Sequence, residues 1–389
     1  MLLTKEEERM LNGEYGYGNE LAMEIILKLG EYYKAKNTIS IKNAQISGIS
    51  YKNLGEYGID LLKKFKDTKV KVPSFLNPIG FDLDDPLFFT SDRNFIEGQT
   101  EILNLFRSIG ANLSLTCTPY YLIEPKIKEH IAWAESSAIV YANSVLGART
   151  NRESGVSALA AAITGRAANY GLHLDNGRKA TIKIEFDFKL NFFDYAMVGL
   201  YLGSKIKNGI PYFKGLDNKN DALKSLGAAL NSSGSIPMFH AEGITPEYRA
   251  ADPDNVDVIT LSKAELEEFR RSINSDLDPD VVMIGCPHLS GEEIKNIAIF
   301  LRNRKIKTGK DLILFTSRKV KNEFIDLVNE IMKSGAKVFT DTCMVVSPIQ
   351  EKFAVVGLNS GKAAYYVGKE KKIFFSDMRS LMEMVTDEN

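Results

Sequence analysis

The residues best suited to metal or redox chemistry in this chain are its three cysteines, Cys117, Cys286 and Cys343. Each follows an apolar run and is flanked by threonine, glycine or proline. Functional side chains of α/β folds gather at the carboxyl ends of strands, so cysteines in three such places could share one site. Taken alone, each cysteine could equally be a small residue that fills the core, and that interpretation stays open.

Three kinds of chemistry could use these cysteines. Structural zinc sites favour paired C-x₂-C spacings, and this sequence contains none. A nucleophilic pair of Cys286 and His288 is possible, but Pro287 lies between them and makes the geometry poor. A [4Fe–4S] cluster needs four ligands, so three thiolates would leave one iron open. An open iron is a Lewis acid, which is what a dehydratase needs to turn hydroxide into a leaving group.

The composition is that of an ordinary globular protein. The chain has 389 residues, 44% hydrophobic and 25% charged, with a net charge of −1. This length predicts two or three domains, and the balanced charge argues against a nucleic-acid or membrane surface. The first residues, MLLTKEEERMLNG, lack the apolar core of a secretory signal. No apolar run approaches the roughly 18 residues of a membrane span, so we expect a cytoplasmic protein.

The elements that would position the cysteines alternate between strand and helix. The pattern predicts helices over 4–11, 19–35, 53–66, 93–108, 155–165 and 262–273, and strands at KVKVPSF, LSLT, IVYANS, TIKIEFDF, VDVIT, VVMIG, DLILFT and AKVFTD. Such alternation favours parallel α/β sheets. We expect an N-terminal part over 1–230, which could form two subdomains, with Cys117 and the ANSVLGARTN loop. A C-terminal α/β domain over 231–389 would carry Cys286 and Cys343.

Four features together resemble a known family. They are the loop NAQISGISY (43–51), the segment YANSVLGARTNRESG (141–155), the segment LNSGKAAYY (358–366) and the three isolated cysteines. The three segments occur in this order across essentially the whole chain, and together with the cysteines they are similar to the aconitase X family. Classical aconitases place two cluster cysteines in C-x-x-C, which is missing here and favours the X branch.

The resemblance implies a fold, a cofactor and a reaction. The fold would be an aconitase-type multi-domain assembly of mostly parallel sheets flanked by helices. It would lack the swivel domain, because the chain ends at Asn389 soon after its last helix. Cys117, Cys286 and Cys343 would hold a [4Fe–4S] cluster with one open iron. The enzyme would be a hydro-lyase that converts (R)-mevalonate 5-phosphate to trans-anhydromevalonate 5-phosphate in an archaeal mevalonate pathway. A separate small subunit would supply the swivel domain and a catalytic serine.

Polar residues in loops are the remaining site candidates. We expect catalytic roles for Glu135 and Ser136, at the start of the predicted strand IVYANS, and for Arg149 in the loop before a helix. The alternative for Arg149 is that it pins its loop. Loops and helix starts suited to anions or hydrogen bonds predict substrate contacts at Gly48, Ile49, Ser50, Asn77, Pro78, Thr116, Asn143, Ser144 and Lys362. The alternative for each of these is a simple turn.

Three other functions remain open at the level of sequence. One is a dehydratase of another small hydroxy acid, such as cis-3-hydroxyproline, a reaction found among bacterial relatives in the family. Another is a non-catalytic iron–sulfur redox protein, although such clusters usually have four protein ligands and this chain offers three thiolates. The third is a metal-free α/β binding protein whose cysteines only fill the core.

Overall fold

Short strands and helices alternate along the chain in the computed structural model, which describes residues 1–251 and 253–388. The helices are α1 Lys5–Leu11, α2 Tyr17–Tyr32, α3 Tyr51–Lys63, α4 Pro86–Phe89, α5 Arg93–Ser108, α6 Ser136–Ser144, α7 Gly155–Thr164, α8 Phe192–Lys205, α9 Asn220–Gly234, α10 Lys263–Ile273, α11 Gly291–Leu301, α12 Arg318–Glu323, α13 Ile325–Lys333, α14 Gly361–Val367 and α15 Met378–Val385. The strands are β1 Thr38–Ser40, β2 Ala44–Ile46, β3 Ser74–Leu76, β4 Ala132–Trp133, β5 Arg166–Ala168, β6 Ile182–Phe186, β7 Pro211–Phe213, β8 His240–Ala241, β9 Val258–Leu261, β10 Val281–Leu289, β11 Arg304–Ile306, β12 Asp311–Thr316, β13 Lys337–Phe339, β14 Val355–Leu358, β15 Lys372–Phe375 and β16 Thr386–Glu388.

The N-terminal sheet has the order β3-β2-β4, and both pairings are parallel. Beyond β3, residues 112–116 extend its hydrogen bonding, because the amide of Asn112 donates to Ser74 at 2.8 Å and that of Thr116 to Leu76 at 3.0 Å. This segment contains the predicted strand LSLT. Helix α7, rich in alanine, packs on β2, and α2 packs on α7, so small side chains bring these layers close together.

Two more parallel sheets follow along the chain. The central sheet has the order β8-β7-β6-β9, and the C-terminal sheet the order β13-β12-β10-β14-β15. Helices α11 and α13 pack together, and α15 packs on β10. The predicted helix start at Ser262 is confirmed, because Ser262 and Glu265 form a capping box at α10. The expected α/β class with mostly parallel sheets is therefore confirmed.

The carboxyl edges of the N-terminal and C-terminal sheets face each other. Ile79, just beyond β3, donates its amide to the carbonyl of Asp341, just beyond β13, at 2.8 Å. The Ser50 hydroxyl, beyond β2, donates to the Val346 carbonyl at 3.0 Å. Strand ends from two sheets therefore line one space.

No helix in the described part of the chain has the length and apolar character needed to cross a bilayer.

The prediction of a strand at IVYANS is wrong, because these residues lie in helix α6. The Glu135 carboxylate caps this helix by accepting from the Ser137 amide at 3.3 Å. Residues 137–144 are all buried, and a continuous apolar run does not distinguish a buried strand from a buried helix. Glu135 and Ser144 therefore lie at opposite ends of a helix about 14 Å long, rather than along one strand edge.

Gly285, immediately before Cys286, has a backbone that an alanine would strain. Its φ is +112°, and an added Cβ would lie 2.2 Å from the carbonyl oxygen of Phe315 in β12. We expect Gly285→Ala to lower the free energy of unfolding by about 3 kcal/mol, measured by chemical denaturation. The control is Gly309→Ala, where φ is +79° but no atom lies within 4 Å of the added Cβ. We expect a loss of about 1 kcal/mol there. Equal losses in the two variants would show that β12 places no restriction on Gly285.

Candidate active site

A cavity of about 300 Å³ lies between the two facing sheet edges. Cys117, Cys286 and Cys343 all line it, together with Glu135 and Lys362. Cys117 and Cys343 lie in loops, whereas Cys286, predicted just after a strand, lies inside β10 where the pairing with β12 is irregular. The three positions are far apart in sequence. The structure therefore brings together the residues whose spacing first indicated a shared site.

A larger cavity, of about 610 Å³, lies beside α8, α10 and α15. Its charged side chains are paired among themselves or with neighbours, as Arg270 is with Glu267 at 2.9 Å and Arg379 with Glu383 at 2.9 Å. No cysteine lines it. Size alone therefore does not identify the reactive site, and the smaller cavity is the one that gathers reactive groups.

Polar groups near the cysteine sulfurs in the smaller cavity favour the thiolate form. The His288 amide donates to Cys117 Sγ at 3.2 Å. The Ser360 hydroxyl near Cys286 and the amides of Val345 and Val346 near Cys343 act to lower the pKa of those two thiols. Hydrogen bonds to sulfur stabilise thiolates and are among the interactions by which proteins tune iron–sulfur clusters.

Burial keeps the unbound thiols neutral. It raises the pKa of Cys117 and Cys343 above the usual value and that of Cys286 to about 12. The positive charge of Lys362 opposes this rise at all three cysteines. A metal that binds here would displace the thiol protons, because thiolates are the ligand form.

His288 forms hydrogen bonds that hold the three cysteine-bearing segments together. Its backbone donates to Cys117, and its ring lies 2.9 Å from the Thr116 hydroxyl and 2.9 Å from the Thr342 carbonyl. Burial lowers the pKa of His288 to about 4, so the ring is neutral near pH 7. Since a carbonyl can only accept, Nε2 carries the proton and donates to Thr342, while Nδ1 accepts from Thr116.

A buried ion pair joins the two sheet edges inside the cavity. Lys362, at the start of α14, pairs with Oε1 of Glu135, which caps α6. The other carboxylate oxygen accepts from Asn77 Nδ2 at 2.7 Å. Burial alone would raise the pKa of Glu135, but the Lys362 charge and these hydrogen bonds outweigh it and lower the pKa. Burial likewise opposes the charged form of Lys362, yet Glu135 raises the lysine pKa. The pair is therefore ionised, and Glu135 is a poor base that positions its partners.

The structure places the predicted polar residues in two groups. Those that line the cavity are Gly48, Asn77, Glu135, Ser136 and Lys362. Those that lie outside its lining are Ile49, Ser50, Pro78, Thr116, Asn143, Ser144 and Arg149. Several of the second group support the site from behind. Ser50 bonds to the loop after Cys343, Thr116 orients His288, and Ser144 accepts from the Phe239 amide at 2.9 Å.

Arg149 is engaged away from the cysteines. Its guanidinium pairs with Asp175 and with Glu247, the latter at 3.3 Å, and donates to the His173 carbonyl at 3.0 Å. The side chain is buried in this network, so it has the loop-pinning role that was the alternative to catalysis. Its expected catalytic role is not supported by this position, because the guanidinium is already bound to two carboxylates.

Residues that the sequence did not single out also line the cavity: Ser47, Asn53, Arg152, Glu153, Val345, Val346 and Tyr366. Arg152 lies three residues after Arg149 in the same polar loop. A polar loop that carries two arginines gave a signal for an anion site. Only the contacts decide which arginine is free to bind one.

The residues around the three sulfurs fit an iron–sulfur cluster. The described residues contain no group of three or more His, Cys, Asp or Glu arranged to hold a metal ion. In a cluster each thiolate binds its own iron, so the sulfurs need not converge on one point. Three buried, unpaired cysteines that line one shared cavity are the protein ligands that such a group could use.

The chain is similar to known proteins of one family along most of its length. Models of the aconitase X first, second and third domains match residues 1–176, 179–271 and 279–387. The phosphomevalonate dehydratase large subunit of Thermococcus kodakarensis is 46% identical over 374 residues, which cover 94% of this chain and 95% of that protein. The Methanocaldococcus jannaschii protein of the same name is 43% identical over 403 residues, covering 98% and 100%.

A solved structure is similar over the whole chain. The crystal structure of Thermococcus kodakaraensis aconitase X in its holo form matches with a TM-score of 0.93 and 44% identity, and covers 99% of this chain and 100% of that one. The cis-3-hydroxy-L-proline dehydratase of Pseudomonas aeruginosa is more distant. It is 32% identical over 382 residues, which cover 92% of this chain and 65% of that protein.

The Glu135–Lys362 pair predicts a strongly non-additive pair of substitutions. We expect Lys362→Met or Glu135→Gln alone to lower the free energy of unfolding by about 3–5 kcal/mol, because each leaves one partner buried without its counterpart. The double variant should lose less than the sum of the two, by at least about 1 kcal/mol in urea denaturation. Additive losses would contradict a direct pairing.

The bridging role of His288 predicts that the hydrogen bonds of its ring contribute to the stability of the fold. His288→Phe leaves the Thr342 carbonyl and the Thr116 hydroxyl without this partner, so we expect a loss of about 2–4 kcal/mol in unfolding free energy. The matched variant His288→Gln keeps a donor and an acceptor and should lose less. If both variants unfold like the wild type, His288 does not hold the loops together.

Proposed function

Because this chain belongs to the aconitase X family, we propose that it is the large subunit of a cytoplasmic iron–sulfur hydro-lyase. Its substrate would be (R)-mevalonate 5-phosphate, and its product trans-anhydromevalonate 5-phosphate in an archaeal mevalonate pathway. A small subunit would complete the enzyme as a heterodimer and would supply the swivel domain with a catalytic serine. Two relatives named phosphomevalonate dehydratase large subunit, at 46% and 43% identity, support this assignment.

The observation that carries the proposal is the convergence of three cysteines beside a buried, ionised lysine in one cavity. Cys117, Cys286 and Cys343 would hold a [4Fe–4S] cluster. When bound, a cluster with three protein ligands supplies a Lewis-acidic iron that assists departure of the substrate hydroxyl. A metal-free binding protein would not need three cysteines and a buried lysine in one polar cavity.

The chain's own side chains account for binding and orientation. Dehydration removes a proton from C2 and hydroxide from C3, and the C2 proton is made acidic by the neighbouring C1 carboxylate. The Lys362 ammonium would bind that carboxylate and stabilise the negative charge that develops as the proton leaves. Glu135 and the Asn77 amide would hold the ammonium in place. Glu135 has a lowered pKa and several donors, so the proton acceptor would come from the small subunit.

The alternative substrate, cis-3-hydroxyproline, lacks a phosphate and carries an amine instead. The proteins named for it are more distant, and this chain covers 65% of the length of the Pseudomonas aeruginosa protein. A non-catalytic redox role would leave the polar cavity beside the cysteines without a purpose. These alternatives can be separated directly by offering each substrate to one enzyme preparation.

The test is an anaerobic reconstitution of the chain co-purified with its small subunit. We expect about four irons and four sulfides per chain, an iron–sulfur absorbance, and loss of water from mevalonate 5-phosphate. Cys286→Ser should lose the iron, the absorbance and the activity while its far-UV circular dichroism stays unchanged. The control Met283→Leu, a conservative change at a buried position of the same strand, should keep all of them.

Two results would overturn separate parts of the proposal. A wild-type complex that takes up no iron after reconstitution would contradict the cluster. A complex that takes up iron and dehydrates cis-3-hydroxyproline but not mevalonate 5-phosphate would contradict the substrate and leave the cluster standing.

A further inference from the structure

We propose that Arg152 is the residue that binds the phosphate group of the substrate and so sets the preference for a phosphorylated hydroxy acid. This inference rests on the proposed function, because it assigns a role within the same cavity. Arg152 lines that cavity with the three cysteines and is exposed to solvent, and it also lines a neighbouring cavity with Asn151 and Gly171. Nothing in the sequence pattern distinguished it from Arg149, three residues earlier.

The Arg152 guanidinium is uncommitted. Within residues 1–251 and 253–388 it has no ion pair, hydrogen bond or cation–π contact, whereas Arg149 in the same loop is bound by Asp175 and Glu247. An arginine whose donors are all unpaired can present two parallel N–H groups to a phosphate. Of the two arginines in this loop, only Arg152 can do so without breaking existing bonds.

The backbone on both sides of Arg152 is fixed. The side chain of Asn151 accepts from the Leu172 amide at 2.8 Å and donates to the Tyr170 carbonyl at 3.0 Å. The Glu153 amide donates to the Trp133 carbonyl, the last residue of β4, at 3.3 Å. The backbone that carries the free guanidinium is therefore held by hydrogen bonds. Less backbone freedom is then lost when a ligand binds.

Among the described charged side chains that line the cavity, Arg152 is the one that can offer a free cation to a negative ligand. Lys362 is already paired with Glu135. Glu153 makes no ion pair in the described part of the chain, and burial raises its pKa, which favours the neutral form. A substrate that carries both a carboxylate and a phosphate brings more negative charge than one shared lysine can balance.

Lys362 and Arg152 suit the two ends of the substrate. Lys362 is buried in the cavity and paired with Glu135, whereas Arg152 is an exposed residue of the same cavity lining. In mevalonate 5-phosphate the carboxylate is next to the reacting carbons, and the phosphate is two carbons beyond C3. Lys362 and Arg152 would therefore hold opposite ends of one molecule.

The test uses the reconstituted two-subunit enzyme and the variant Arg152→Gln. We expect KM for mevalonate 5-phosphate to rise about 10- to 100-fold, the range for losing a charge-assisted hydrogen bond, with kcat changed less than about threefold. Iron content and absorbance should match the wild type. Arg152→Lys should recover part of the loss, because it keeps the charge but not the two-point contact. The control is Arg93→Gln, an exposed arginine outside the cavity, which should behave as wild type.

A binding measurement separates phosphate recognition from a general structural effect. By calorimetry, Arg152→Gln should weaken binding of trans-anhydromevalonate 5-phosphate but not of the same acid without its phosphate. Equal weakening of both ligands, or a KM within about twofold of wild type, would overturn the role of Arg152 and leave the proposed function intact. A wild-type complex that holds its cluster but does not dehydrate mevalonate 5-phosphate would overturn the proposed function, and this inference with it.

Discussion

The structure depends on one constraint, that the carboxyl edges of two separate parallel sheets must face each other across a narrow space. A single sheet edge could present only Cys117 or only the pair Cys286 and Cys343. The contact between Ile79 and Asp341 and the bond from Ser50 to Val346 hold the edges in register. Because active sites of α/β domains form at carboxyl edges, facing two of them doubles the number of loops that reach one cavity.

Inside that space, polar groups are buried at a cost that the structure offsets by pairing them. The Lys362–Glu135 pair, the Asn77 amide and the His288 bridge leave few donors or acceptors unused around the sulfurs. A buried ion pair adds little net stability compared with apolar packing. Its position beside three cysteines therefore favours a role in the chemistry rather than in folding. The ring of His288, by contrast, is neutral and hydrogen-bonded, and its role is structural because it holds the three cysteine-bearing segments together.

Much of the site could be predicted because the sequence pattern indicates where strands end. Apolar runs that stop at Cys117, Cys286 and Cys343 placed all three at one kind of position, and turns after β2, β3 and β14 placed Gly48, Asn77 and Lys362 in the cavity. The helix at IVYANS was missed because burial on every side removes the periodicity that separates helix from strand. Whether the Arg149 guanidinium is free was beyond sequence as well, because it depends on carboxylates that lie 26 and 98 residues further along the chain.

Mössbauer spectroscopy of the ⁵⁷Fe-reconstituted two-subunit enzyme tests most directly whether three cysteines hold a cluster that leaves one iron for the substrate. With three protein ligands, one iron in about four should change its isomer shift when mevalonate 5-phosphate is added, while the others stay the same. An unchanged spectrum on saturation with substrate, or iron sites that are all equally ligated by the protein, would contradict the proposed role of Cys117, Cys286 and Cys343.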